Sequence, residues 1–297
     1  MSKRSVILLQ GGLGNQLFQL CAMIKFSGGN SSEVVLDGSL VGGVTRGTTP
    51  RELEIHALLN PSELLATRSV TLSKLKLLFA RCSGRLVRDR DLEKSDLMKR
   101  PGSRYLAYFQ DHNLVESVWP DLCERLKSVD GWSEALLQPL EKRLTIHFRL
   151  GDYVSNSKAT KFHGITKPEY FVEIAQAFRT QHPEDPIHIV SDDVNLASEL
   201  LKDLRTLPQV NIEDDKGPLE ALKLLATSST VAISNSSFSW WGGWLAFNKG
   251  ATVIAPKPWF SDDELLTKLI HPKWITKQRE PITKASDLTA LMTKDYR

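Results

Sequence analysis

Apolar and polar positions alternate most cleanly in the middle of the chain, from Leu144 to Tyr153. Leu144, Ile146, Phe148 and Leu150 interleave with Thr145, His147 and Arg149, a period of two that predicts a half-buried strand. His147 and Arg149 then share the face opposite the apolar one. Gly151 lets the chain turn, leaving Asp152 and Tyr153 at the strand's carboxyl end. In open α/β sheets that end is where ligands bind. Read alone, the pattern favours an edge strand with a solvated arginine and an aspartate in a turn, and the other motifs of the chain shift the reading toward a site.

Elsewhere the periodicity switches repeatedly between strand and helix. Ser5 to Gln10 is a near-continuous apolar run, the pattern of a strand buried on both faces. Leu17, Leu20, Cys21 and Ile24 follow at helical spacing, with Asn15 as the expected N-cap and Gly28–Gly29 as the stop. Glu33 to Asp37 reads as a second strand, completing a βαβ unit. Glycines are dense from Gly38 to Gly47, which predicts a surface loop. Ala107–Gln110 predicts a short strand, and Leu114–Leu126 an amphipathic helix interrupted at Pro120. Beyond the central strand, helices are predicted over Pro168–Arg179, Val194–Leu204 and Leu219–Thr227. Strands are predicted over Ile187–Val190, Thr230–Ser234 and Ala251–Ala255. This alternation predicts an α/β protein of two Rossmann-like domains facing across a cleft, residues 1–142 and 143–297.

Composition adds constraints. The chain has 297 residues, 41% hydrophobic and 25% charged, enough for a substantial core. A net charge of only +3 gives no case for nucleic acid. Cys21, Cys82 and Cys123 are odd in number and form no Cys-x-x-Cys pair, so they read as reduced thiols. The apolar run near the N-terminus is too short for a secretory signal, and no stretch approaches about 18 consecutive apolar residues. A soluble cytoplasmic protein is expected. One segment leaves room for contact with the inner face of the membrane. Arg68 to Arg104 holds eleven Lys and Arg against four Asp and Glu, with Leu72, Leu75, Leu78 and Phe79 on one helical face. It reads either as a basic amphipathic helix for an anionic membrane surface or as an ordinary helix with a solvated face. Asp89-Arg90-Asp91 spells the Asp-x-Asp of metal-bound sugar nucleotides, but inside a charge run.

Three stretches carry candidate chemistry. Gly12-x-Gly14 with Asp37 imitates a dinucleotide fingerprint, although Leu17 replaces the third glycine. A dinucleotide-dependent oxidoreductase is therefore one reading, and a non-catalytic nucleotide- or glycan-binding protein another. Ser191, Asp192 and Asp193 stand at a strand end and a helix start together. N-capping accounts for one carboxylate, and the other could accept from ribose hydroxyls or a guanine N–H edge. Asn235, Ser236, Ser237 and Phe238 join a strand to a helix, where free backbone N–H groups can bind phosphate. Trp240, Trp241 and Trp244 just beyond are expected in the core.

His147-x-Arg149-x-Gly151-Asp152-Tyr153, with Gly11–Gln19, Tyr108–Gln110, Ser191–Asp193 and Asn235–Trp241 in that order, resembles the bacterial α-1,2-fucosyltransferases of glycosyltransferase family 11. The resemblance implies a GT-B-like fold, a GDP-fucose donor, and inverting transfer to the 2-hydroxyl of a terminal galactose. The acceptor would be an oligosaccharide or surface glycan, free or lipid-linked. It implies no cofactor and no metal. Arg149 would lie on the donor's β-phosphate, Asn235, Ser236, Ser237 and Phe238 against the diphosphate, and Ser191, Asp192 and Asp193 on the donor side. Gly12, Gly14, Asn15 and Gln16 would face the reacting sugar. Asp152 and His147 are the candidate bases, with Asp152 alternatively orienting Arg149. Two departures stand out. Glu220-Ala221 occupies the place of a nucleotide-binding aspartate, and no carboxylate follows Asp152 before Glu169.

Overall fold

Burial explains where the strands fall. In a computed structural model that describes residues 4–28, 33–41, 52–65, 70–92, 102–214, 217–262, 268–284 and 286–287, the chain forms two units, Met1–Val129 and Asp130–Arg297.

The first unit comprises β1 (Ser5–Leu8), α1 (Leu13–Ser27), β2 (Val34–Asp37), α2 (Val70–Cys82), β3 (Leu86–Arg88), β4 (Arg104–Leu106) and α3 (His112–Lys127). Its sheet runs β2-β1-β4-β3 and is parallel throughout. The apolar β1 lies inside that sheet and is fully buried, as its sequence demands. The predicted βαβ unit is present, but Asn15 is not the cap. Gly12 takes the N-cap position, so Asn15 falls in the first turn of α1. Gly28 ends the helix at φ 52°, the left-handed conformation expected of it. The strand predicted at Ala107–Gln110 lies earlier, in β4. Asp89 instead ties down the following loop by accepting the N–H groups of Tyr108 and Phe109 at 2.9 and 3.1 Å. Pro120 does not interrupt α3. Both Pro120 and Glu116 four residues before it are exposed, so water can satisfy the carbonyl that loses its partner. Most of the glycine-rich loop and the stretch 93–101 of the basic segment lie outside the described residues.

One helix is seated against expectation. The residues that fasten α2 are small: Ser73 and Ala80 are buried, and the Ser73 hydroxyl bonds Ser39 at 2.6 Å and Asp37 at 3.2 Å. Leu75, Leu78 and Phe79, predicted as its packing face, are exposed.

The second unit begins earlier than residue 143. Its first helix, α4 (Trp132–Leu137), is bound to the remainder by a Lys223–Glu134 ion pair and by Lys249, whose Nζ donates to the Ala135 carbonyl at 2.8 Å. There follow β5 (Glu141–Phe148), α5 (Gly151–Ser155), α6 (Ser157–His163), β6 (Ile165–Thr166), α7 (Pro168–Gln181), β7 (Ile187–Ser191), α8 (Val194–Leu200), β8 (Val210–Ile212), α9 (Pro218–Ala226), β9 (Ser228–Ala232), α10 (Ser237–Phe247), β10 (Thr252–Lys257), β11 (Ile275–Gln278) and β12 (Pro281–Ile282). Six strands form a parallel sheet in the order β11-β10-β9-β5-β7-β8, and β12 pairs antiparallel with β6. With β9 and β7 as neighbours, β5 is interior, and it is buried on both faces from Arg143 onward. That corrects the half-buried expectation. Leu144, Ile146 and Phe148 join the core with α7 and α8, whereas Thr145 and His147 lie under the other helical layer. Burial of those polar groups is tolerated because each is bonded. Thr145, for instance, meets the Ser228 hydroxyl at 2.7 Å.

On that second face α10 packs tightly on α9. A Cβ on Gly242 would sit 2.6 Å from a Leu225 methyl, so glycine permits the approach. Trp240 and Trp244 stack at 5.3 Å and are buried, as core residues should be. Two parallel-sheet α/β units are therefore present, as the alternating periodicity implies.

Candidate active site

The carboxyl ends of β5 and β7 bring three charged side chains together. Pairing of Phe148 with Ser191 sets the two strands to end side by side. Arg149 then emerges next to Asp192, with Nη1 2.7 Å from Oδ2, and its other terminal nitrogen pairs with Asp152. Its guanidinium also lies 5.6 Å above the centre of the Tyr153 ring. Asp192 is held from a second side by the Leu150 N–H at 2.8 Å. Gly151 is required here, because a Cβ would come 2.0 Å from Asp192 Oδ2. Burial works against the Arg149 charge, but Asp192 and Asp152 outweigh it and raise its pKa above the ordinary value. The result is a fixed, permanently charged fork with its side chain 15% exposed.

His147, one side-chain repeat back along β5, does not reach the open end. It is 3% exposed and packs 5.1 Å from the Phe238 ring. Its Nδ1 bonds the Ser239 hydroxyl at 2.6 Å, and Ser239 bonds Ser234 at 2.9 Å. Ser234 in turn accepts the Arg149 N–H at 3.3 Å. Burial, reinforced by the Arg149 charge, lowers the His147 pKa to about 3. His147 thus stays neutral and holds the β9–α10 turn against β5. Its burial argues against its expected role as a base.

That turn is fastened on its other side by Asn235. The Asn235 amide donates to the carbonyls of His163 at 2.8 Å and Gly164 at 3.2 Å, and its oxygen accepts from the Thr166 hydroxyl at 3.1 Å. Its backbone carbonyl accepts from the Tyr153 hydroxyl at 3.0 Å. Asn235 therefore shapes the turn through a fully engaged side chain. Ser236 occupies the N-cap position of α10 without a side-chain cap, and Ser237 and Phe238, both half-buried, form the first turn. The first N–H groups of a helix have no intrahelical acceptor and favour an anion.

A residue that sequence patterns did not single out completes the frame. Arg279 is 5% exposed, and its guanidinium donates to the carbonyls of Pro258, Trp259, His163 and Gly164 at 2.7–3.0 Å. Burial lowers its pKa to about 10. It lies in an exposed-looking Gln-Arg-Glu stretch that carries no local signal of this role. His163 stacks on Tyr153 at 4.7 Å, and burial lowers its pKa to about 4.

The other donor-side candidates divide. Asp193 is the N-cap of α8, accepting the Leu196 N–H at 3.0 Å, while Asp192 belongs to the Arg149 pair. Both carboxylates thus have structural partners. The Ser191 hydroxyl donates to the Phe148 carbonyl at 2.8 Å. Beside Ser191 a hollow of about 210 Å³ opens along α9, lined in part by Glu213, Asp214, Glu220 and Ala221.

The glycine turn of the first unit forms a separate group. Gln16 is completely buried; it donates to the carbonyls of Gly11 and Glu52 at 2.9 and 2.7 Å and accepts from the Glu54 N–H at 2.9 Å. It is a fastening, not an open side chain. Asn15 accepts from the Gln110 amide at 2.7 Å, with Gly12 at the N-cap before it and Gly14 inside the first turn of α1. Asp37 is 1% exposed and engaged by Ser39, Ser73 and Arg104. It is therefore not free to bind a ribose, which removes the acidic residue from the dinucleotide fingerprint.

Known proteins resemble this chain in sequence and in fold. The chain is 25% identical to the Escherichia coli O-antigen biosynthesis glycosyltransferase WbnK, across 90% of this chain and 98% of that protein. It is 24% identical to an Escherichia coli alpha-1,2-colitosyltransferase, across 88% and 93%. Among solved structures, a mutant of Arabidopsis thaliana FUT1 in complex with GDP superposes at a TM-score of 0.45, with 14% identity, over 89% of this chain and 73% of that one. The profile of glycosyl transferase family 11 matches residues 104–278, more than half of the sequence, and takes in β5 through α10, ending one residue before Arg279. On that match the chain belongs to glycosyl transferase family 11 and is a glycosyltransferase.

Proposed function

We propose that this protein moves L-fucose from GDP-fucose to the 2-hydroxyl of a terminal galactose in a surface glycan, with inversion and without a metal ion. The observation that carries the reading is the convergence of Arg149 and the amino end of α10 at one end of the sheet of the second unit. When the fucose–phosphate bond breaks, negative charge grows on the departing β-phosphate. A preorganised guanidinium and free helix N–H groups stabilise that charge most when it is fully developed. Diphosphate oxygens would accept from the guanidinium nitrogen that pairs with Asp152, which would leave that carboxylate to act on the acceptor hydroxyl. With His147 buried, Asp152 is the remaining candidate base. The nucleoside would occupy the hollow beside Ser191, where carboxylates such as Glu220 can accept from the guanine N–H edge.

The colitosyltransferase relative favours one variant reading, in which the same α-1,2 linkage is made with a donor sugar lacking the 3-hydroxyl. Mass spectrometry separates the two. The purified protein is offered GDP-fucose or GDP-colitose with a panel of terminal β-galactosides, in buffer and in EDTA. Fucosyl product formed in EDTA is expected. A product one oxygen lighter, from GDP-colitose alone, would replace the donor assignment. Tight GDP binding with no transfer from either donor would leave a binding protein, and activity lost in EDTA but restored by Mn²⁺ would end the metal-free reading.

A further inference from the structure

The outward face of α2 has the composition of a buried one. Leu75, Leu78 and Phe79 are 59%, 58% and 69% exposed. At 100° per residue these three and Cys82 fall within one stripe about 100° wide. Lys76 flanks that stripe on one side, and Lys74 and Arg81 flank it on the other. No acidic residue occurs from Arg68 to Arg88, while six Lys and Arg do. The helix does not need this stripe to hold its place, because its inward side is fastened by Ser73 and Ala80. Next to the stripe is a hollow of about 530 Å³ whose lining adds Arg4, Arg85 and Arg104 to Leu75 and Phe79. No described helix is long and apolar enough to cross a membrane, so α2 is not a spanning segment.

We propose that α2 is an in-plane docking helix for an anionic phospholipid surface. Apolar side chains would enter the acyl boundary while the flanking lysines and arginines stay level with the phosphates, the arrangement adopted by interfacial helices. Charge complementarity decides the occupant. A stripe bordered only by cations repels a second copy of itself, whereas a negatively charged leaflet attracts it. Docking through α2 would bring the enzyme to acceptors carried on that leaflet. The proposal stands independently of the donor sugar, since its readout is binding and not transfer.

Vesicle co-sedimentation of the full chain tests it. Vesicles containing phosphatidylglycerol in phosphatidylcholine should bind the protein, and pure phosphatidylcholine vesicles should bind it at least about tenfold more weakly. Leu75→Ser with Phe79→Ser should weaken the first interaction by roughly tenfold or more through loss of apolar burial. Lys74→Glu with Lys76→Glu should do so through charge. All four positions are exposed or half-buried, and circular dichroism with a melting curve confirms that the variants fold. Binding that ignores phosphatidylglycerol, or that survives both double substitutions, overturns the proposal. So does a concentration-dependent dimer abolished by Phe79→Ser in a protein that leaves vesicles unbound, since the stripe would then be a self-association surface.

Discussion

Arg149 Nη1 and Asp192 Oδ2 stand 2.7 Å apart across the ends of two neighbouring strands, and the pair exists because residue 151 has no side chain. The carboxylate occupies the space a Cβ would need. Gly151→Ala should therefore displace Asp192, slow turnover by about tenfold and lower stability by about 1–3 kcal/mol, the usual cost of overpacking. In an Asp192→Ala background the same substitution should change turnover by no more than about twofold, because the two sites are coupled. Steady-state rates and melting curves for the four-member cycle provide the measurement.

Arg149→Ala should reduce turnover by roughly 10²–10³, the loss typical of removing one donor to a developing oxyanion. GDP affinity should fall less, since the bound product carries only part of that charge. Arg149→Lys should recover part of the rate, because one ammonium cannot reproduce a planar fork held between two carboxylates. Turnover within about threefold of wild type in a folded Arg149→Ala protein would remove the end of β5 from the catalytic argument.

Acid should weaken the fold through His147. Its folded pKa is about 3 against an ordinary value of 6.5, so below 6.5 the unfolded chain gains a proton that the folded one refuses. Stability is thus lost as pH falls from 6.5 towards 3, at up to about 1.4 kcal/mol per pH unit from this group. His163, lowered to about 4, acts in the same direction. His147→Asn keeps a bonding partner for Ser239 without the titration, so it should flatten that slope. Chemical denaturation at several pH values for both proteins measures the difference.

Base recognition separates by ligand. If Glu220 accepts from guanine, Glu220→Gln should weaken GDP binding by about fivefold to tenfold, in the range of one partly solvated charge-assisted hydrogen bond. IDP lacks the 2-amino group and should be affected less. Equal losses for the two nucleotides in calorimetry would place the nucleoside elsewhere.

What the sequence reveals follows from the range of the forces involved. The βαβ start and the alternation of the second half are local patterns, and they survive into the structure. His147, Arg149, Gly151 and Asp152 are legible as a set because they sit on one strand and its turn. Their roles are less so, since these depend on Asp192 and Ser239, which are distant in sequence. Periodicity finds the apolar stripe of α2 but cannot say which side of the helix meets the protein. Ser73, whose two hydroxyl bonds seat the helix, looks like a surface serine. Asn15 has the chemistry of a cap, yet Gly12 begins the helix first. Arg279 gives no local sign at all, because its partners are backbone carbonyls of segments far from it in the chain.

Those carbonyl partners set an order of events during synthesis. The first unit is contiguous and ends at Val129, so all of it is synthesised before the central strand of the second unit. Domains emerging in that order fold in that order. The second unit cannot follow suit piecemeal. β5 needs β9 as its neighbour, and the loops behind the anion-facing turn need Arg279, about thirty residues beyond the end of α10. A chain cut short after α10 would therefore carry a complete first unit and a β5–α10 turn whose supporting loops have no guanidinium to join them.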